Sequence, residues 1–269
     1  MTDPEVPQTE KSSRSKAPLI VGGLVVVAIV VAGVFWLLRD DAPDEVNLDD
    51  AVAQVSTTTE AADTGDTGDT GSDDGSSTTG VAADGIEGEW TVDTETGEFD
   101  YESATGSFVG FRIDEELAGV GATEAVGRTG DVSGGITIEG TTVTAGSFDV
   151  DLTTITTNES RRDDRVQSAL ATDQFPTATF ELTGPIELGA GAADGETVTA
   201  TAVGDLTIKG TTQSIEMPIE AKLVEGTVVL VGSTEITFAD FGVEVPSAPI
   251  VLSVADVGTL ELQLLLVRG

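Results

Sequence analysis

Apolar and polar residues alternate along most of the chain beyond residue 86, and this alternation predicts strands. Val109, Phe111 and Ile113 alternate with polar or small neighbours, as do Phe148, Val150 and Leu152, and then Ala178, Phe180 and Leu182. Later runs repeat the pattern: Val198, Ala200 and Ala202 leading to Leu206 and Ile208, then Ile215 to Leu223, then Val228, Leu230, Ile236 and Phe238. Leu260, Leu262, Leu264 and Leu266 close the chain. Turn formers punctuate these runs at Gly134-Gly135, Glu139-Gly140, Asp194-Gly195, Lys209-Gly210 and Glu225-Gly226. Antiparallel strands with one apolar face each must stack as two sheets or close into a barrel, and long strands joined by short turns favour the barrel. The expected fold is all-β, with about eight strands closing around an apolar interior. Many of the inward positions are small, so the interior either encloses a ligand cavity or is filled by its own side chains.

One stretch breaks the alternation. Residues 153 to 180, TTITTNESRRDDRVQSALATDQFPTATF, place a short helical pattern between two strands. Asn158 or Ser160 is positioned to cap that helix, and Asp163 falls in its first turn, where the helix dipole favours an acid. Phe175-Pro176 marks the turn out of the helix, and its ring is placed to plug a barrel end.

Upstream, Leu19 to Leu38 is an uncharged apolar run long enough to cross a bilayer. Lys11, Arg14 and Lys16 precede it, whereas Arg39 is followed at once by acids, so the positive-inside rule puts the N-terminus in the cytoplasm. Without an Ala-x-Ala-like cleavage site, the run reads as a signal anchor, with the remainder of the chain extracytoplasmic. Residues 39 to 86 are rich in Thr, Gly, Ser and Asp and predict a disordered tether with an r.m.s. reach of about 40 Å. The domain organisation expected is therefore cytoplasmic 1–18, span 19–38, linker 39–86 and β-domain 87–269.

Charge and composition narrow the chemistry. The formal charge is −36 over 269 residues, with no His and no Cys. That removes thiolate nucleophiles, imidazole bases, the usual zinc sites and disulfides, and a field this negative repels nucleic acid. No cofactor or metal is expected. Asp149 and Asp151 are the sort of carboxylate pair a hydrolase uses, but alternate strand residues share a face, and a solvated surface explains them. Within residues 87–269 eight Lys or Arg face thirty-two Asp or Glu, and three of the eight cluster at Arg161, Arg162 and Arg165.

Residues 153–180 resemble the signature of the YceI-like polyisoprenoid-binding family, in which a Thr-Asn-x-x-Arg-Asp run opens a short helix ahead of an Asp-Phe-Pro region. AVGDLTIKGTTQSIEMPI, ITFADFGV, GEWTVD and SFVGFRIDEEL are similar to the family's other blocks, in order, so the resemblance covers nearly all of residues 87–269. Ala169 to Phe175 departs from the family's tighter pattern, and Thr237 and Ala239 stand where many members carry Asn-Arg and Ser. The resemblance implies an extended antiparallel lipocalin-like barrel that holds a long apolar ligand, often an isoprenoid, without catalysis. The cavity candidates are then Phe111, Phe148, Phe180, Leu206 and Phe238, and the candidates for a ligand head group are Arg161, Arg162 and Arg165. The other reading is an envelope module with a filled barrel and no ligand.

Overall fold

The structure, a computed structural model, describes residues 42–63, 85–97, 99, 101, 105–244 and 251–269, with only the backbone described for 56–63 and for Arg161. The expected span at 19–38 lies outside these residues. Among the described residues, no helix is long and apolar enough to cross a membrane.

Eight strands form a closed antiparallel ring: β1 (Gly88–Val92), β4 (Val132–Glu139), β5 (Thr142–Asp151), β7 (Thr177–Leu182), β9 (Val198–Ile208), β10 (Thr211–Val224), β11 (Thr227–Thr237) and β13 (Val257–Arg268). Pairing of Trp90 with Arg268 and Val92 with Leu266 closes it. β13 is long enough to serve two partners on one edge. Its C-terminal part takes β1, and its earlier part takes β2 (Phe108–Leu117) through pairs from Thr259↔Arg112 to Gln263↔Phe108. β3 (Gly121–Thr129) and β6 (Thr156–Thr157) extend that branch, while β8 (Ile186–Glu187) adds to β5 and β12 (Val251–Val254) to β2. The expected barrel of about eight strands is what the chain forms.

The hairpin turns at Lys209-Gly210 and Glu225-Gly226 have positive φ at both residues, which is the turn twist that matches two antiparallel strands. Gly134-Gly135 is not a turn. Both residues lie inside β4, where a Cβ on Gly134 would stand 2.1 Å from the Ser147 carbonyl and one on Gly135 2.1 Å from that of Trp90. The glycines are there because both neighbouring backbones approach too closely for a side chain.

The first part of the predicted tether also differs from expectation. Leu48–Asp63 forms α1, whose start is capped by the Asn47 side chain accepting from the Asp49 and Asp50 amides at 2.9 and 3.3 Å. Leu48, Ala51 and Val55, spaced i, i+3 and i+7, put one apolar stripe on the outside of the barrel against Val229, Val231 and Leu265. A stretch too poor in apolar residues to build a core of its own had enough to cover part of another.

That cover makes burial along β13 two-sided, with inward-facing Leu264 and Leu266 buried at 1 % and 0 %. Outward-facing Leu265 is fully buried under α1, whereas inward-facing Leu260 and Leu262 keep accessible surface because the bore they face is not filled. α2 (Ser160–Leu170) is the predicted helical insertion, and it lies across one end of the barrel with Val166 and Leu170 inward.

Candidate functional site: an apolar bore with a closed end

The even-numbered leucines of β13 and the inward rows of the other strands line one long cavity enclosing about 220 Å³. Phe111, Phe148, Phe180, Leu206 and Phe238 all line it. Leu206 is nearly buried at 8 % exposure, but the four phenylalanines are only half-buried despite pointing away from bulk solvent. Their residual surface faces the bore.

The lining includes few polar residues: Thr129, Thr179, Glu196, Lys222 and Glu261. Lys222 and Glu261 occupy strand positions that alternate with the inward rows, opposite Val229 and Ser233 respectively. Glu196 is exposed, just ahead of β9 at one end of the bore. An interior of this kind suits a ligand held by shape and desolvation, because nothing along its length fixes a polar group.

At the other end the bore is covered by Leu170 of α2, by Phe241, the last residue of a single 3-10 turn after β11, and by Val243 just beyond it. Phe241 is buried there, and Gly242 ends the turn with a left-handed backbone, so Asp240-Phe241-Gly242 serves as a structural corner. Lys209 bridges the two covering elements, its ammonium donating at 2.9 Å to both the Ala169 and Gly242 carbonyls. Phe175 does not plug this end. Its ring lies over Gly210 at 36 % exposure and is absent from the cavity lining.

Arg162 and Arg165 of α2 stay away from the bore. Arg162 donates to Asn158 Oδ1 and pairs with Glu115, and Arg165 is exposed without an ion pair to any described residue. Neither is among the residues lining the cavity. The expected caps of α2 differ too: Glu159 occupies the cap position without a side-chain bond, and the Asp163 carboxylate instead reaches back to the Thr157 amide and hydroxyl at 2.9 and 2.7 Å. Asp149 and Asp151 lie on the outer surface, where Asp151 caps a 3-10 turn by accepting from the Thr153 amide at 2.8 Å.

The cationic centre of the barrel is one the sequence pattern did not single out. Glu261, 1 % exposed, accepts from Arg112 Nε and Arg128 Nε at 2.7 Å each, and Arg112 also pairs with Glu124 at 2.7 Å. Burial works against the Arg112 charge, but the hydrogen bond and charge of Glu261 and then those of Glu124 outweigh it, raising the guanidinium pKa above its ordinary value. The remaining guanidinium donors grip the strap ahead of α1. Arg112 donates to the Pro43 carbonyl at 2.7 Å and to that of Asp44, and Arg128 to Asp44 at 2.8 Å. A single charged residue set among apolar neighbours in a strand, as in Phe111-Arg112-Ile113 or Leu260-Glu261-Leu262, was the available signal.

A closed eight-stranded antiparallel barrel around a continuous apolar bore defines a lipocalin-like architecture. The profile of the YceI-like domain matches residues 90–266, and the chain belongs to that family. Comparison with curated proteins gave no match. Among solved structures, the chain is similar to a polyisoprenoid binding domain from Saccharophagus degradans (16 % identity, TM-score 0.49, 67 % of this chain and 98 % of that one). It is also similar to BcnA of Burkholderia cenocepacia (18 %, TM-score 0.48, 65 % and 98 %) and to a Campylobacter jejuni YceI protein (19 %, TM-score 0.43, 52 % and 82 %).

Proposed function

We propose that this chain binds a long apolar lipid, of the polyisoprenoid class or similar, inside the barrel and sequesters or carries it at a membrane to which residues 19–38 anchor it. The observation that carries this reading is the uninterrupted apolar bore between Leu170 and Phe241 at one end and Ile86 and Leu188 towards the other. Membership of the YceI-like family, whose sequence signature the chain shares, supports the ligand class. Transfer of each ligand methylene into such an interior contributes roughly 0.8 kcal/mol, so affinity grows with chain length more than with chain detail. In this reading the barrel is extracytoplasmic and has no catalytic role.

Organic extraction and mass spectrometry of the purified full-length protein test the ligand, with prenyl lipids as the expected product. A second reading, an envelope module with a filled barrel, draws on the bore's volume, which falls below the roughly 300–1,000 Å³ usual for small-molecule sites. Recovery of no lipid, together with no uptake of a fluorescent prenyl probe, would favour that reading. Protease accessibility of the barrel in intact cells tests the orientation, and protection from external protease would overturn it.

A further inference from the structure

Three of the cavity phenylalanines lie against glycines on neighbouring strands. A Cβ built on Gly127 would stand 2.5 Å from the Phe111 ring, one on Gly204 2.3 Å from the Phe180 ring, and one on Gly258 2.3 Å from the Phe238 ring. Phe111 and Gly127 are direct cross-strand partners, while the other two pairs are diagonal: Gly204 pairs with Leu182, two residues from Phe180, and Gly258 with Ile236, two residues from Phe238. In each case the ring occupies the space that a side chain on the glycine would fill. A ring folded down onto the wall takes up little of the bore, whereas a ring standing off the wall would reach towards its middle.

We infer that these Phe–Gly pairs set the bore, and through it the length of apolar chain the protein accepts, by holding three aromatic rings flat against the barrel wall. The inference rests on the lipid-binding reading for its ligand but on geometry alone for the rings. It accounts for an otherwise odd combination: aromatic side chains that are large enough to fill a small barrel, pointing inward, and only half-buried. Interior glycines normally weaken a strand, and here each sits under a ring that supplies the missing packing.

Gly127 gives the cleanest test, because the atoms nearest its added Cβ belong to side chains, those of Phe111 and Ile155, whereas Gly204 and Gly258 also meet backbone oxygens. In the full-length protein, Gly127→Ala should swing the Phe111 ring into the bore, which a crystal structure of the variant would show. It should weaken binding of a twenty-carbon prenyl probe about tenfold while leaving a ten-carbon probe within about twofold. Adding Phe111→Ala to Gly127→Ala should restore the longer probe, since the new methyl then has no ring to displace. A ring that stays on the wall in the variant structure, or a double variant that fails to recover, would overturn the inference. If the wild-type protein takes up neither probe, the lipid-binding reading fails, and the position of the ring in the variant structure still decides the inference about the bore.

Discussion

Arg128 reaches Glu261 across an intervening strand, its Nε donating to Oε1 at 2.7 Å over Gly110 of β2. Gly110 stands opposite both residues in register, and a Cβ there would meet the Arg128 side chain at 2.8 Å and the Gly127 carbonyl at 2.5 Å. Glu261 thus bridges two guanidiniums, with Glu124 supplying the second negative charge, on a face that the strap ahead of α1 helps to cover. Removing one partner of such a buried group leaves uncompensated charge. Glu261→Ala should lower stability by about 3–5 kcal/mol, read as a shift in urea midpoint. A loss under about 1 kcal/mol would mean that the arginines find water or other acceptors once Glu261 is gone.

The strap and α1 make a second measurable unit. Leu48→Ala and Val55→Ala each remove a buried side chain from the face against Val229, Val231 and Leu265, at a cost of about 2–3 kcal/mol. Because α1 packs on the outside of a ring that closes through its own strand pairings, the loss should surface first as local opening. Amide exchange at Ala51 to Val55 should quicken while the strands of the ring stay protected, and an apolar dye should bind the uncovered patch. Equal acceleration in β11 and β13 would show instead that the helix and the barrel unfold together.

How far these features could be read in advance depended on how many residues carried each signal. The long strands β9, β10 and β11 were legible because each repeats its alternation over five or more positions, and the five cavity candidates follow from the same parity. Gly134-Gly135 misled, since two adjacent glycines look alike whether they make a turn or admit two close backbones. α1 had all its marks in place, with Asn47 as cap, Asp49 and Asp50 in the first turn and apolar residues at helical spacing, but an acidic, Thr-rich composition outweighed them. The arginines of α2 stood out by density, whereas the buried charges are single residues on three separate strands. Only the register brings Arg112, Arg128 and Glu261 together, and no local window contains it.

Tyr101 offers a spectroscopic check on that neighbourhood, being the chain's one tyrosine. Its hydroxyl donates to the Val126 carbonyl at 3.3 Å. Burial pushes its pKa up to about 12 from 10, only partly offset by the charges of Arg128, Arg162 and Arg112. A folded-state pKa above the unfolded one favours the protonated form, so the associated stability is complete below pH 10 and is lost as pH rises towards 12. Absorbance titration near 295 nm should place the phenolate transition close to 12 in the folded protein and near 10 in urea. A folded-state midpoint near 10 would show that burial of the ring does not outweigh the arginine charges beside it.

Lys209 ties the two elements that cover one end of the bore, and this gives it a kinetic signature. Its ammonium holds the Ala169 carbonyl of α2 and the Gly242 carbonyl beside Phe241, and both neighbouring apolar residues, Leu170 and Phe241, line the cavity. Lys209→Met keeps the aliphatic stem and removes both donors. Each charged hydrogen bond contributes on the order of 1.5–3 kcal/mol, so the loss should quicken release of a bound prenyl probe by about tenfold or more. Equilibrium affinity should change less, because the residues that line the bore are unaltered and entry is eased along with exit. Lys209 also holds a positive φ of 52° in its hairpin. Lys209→Gly relieves that backbone conformation while removing the same two bonds, so equally fast release from both variants would assign the effect to the tie. Release rates unchanged from wild type in both would place the exit at the Glu196 end of the barrel.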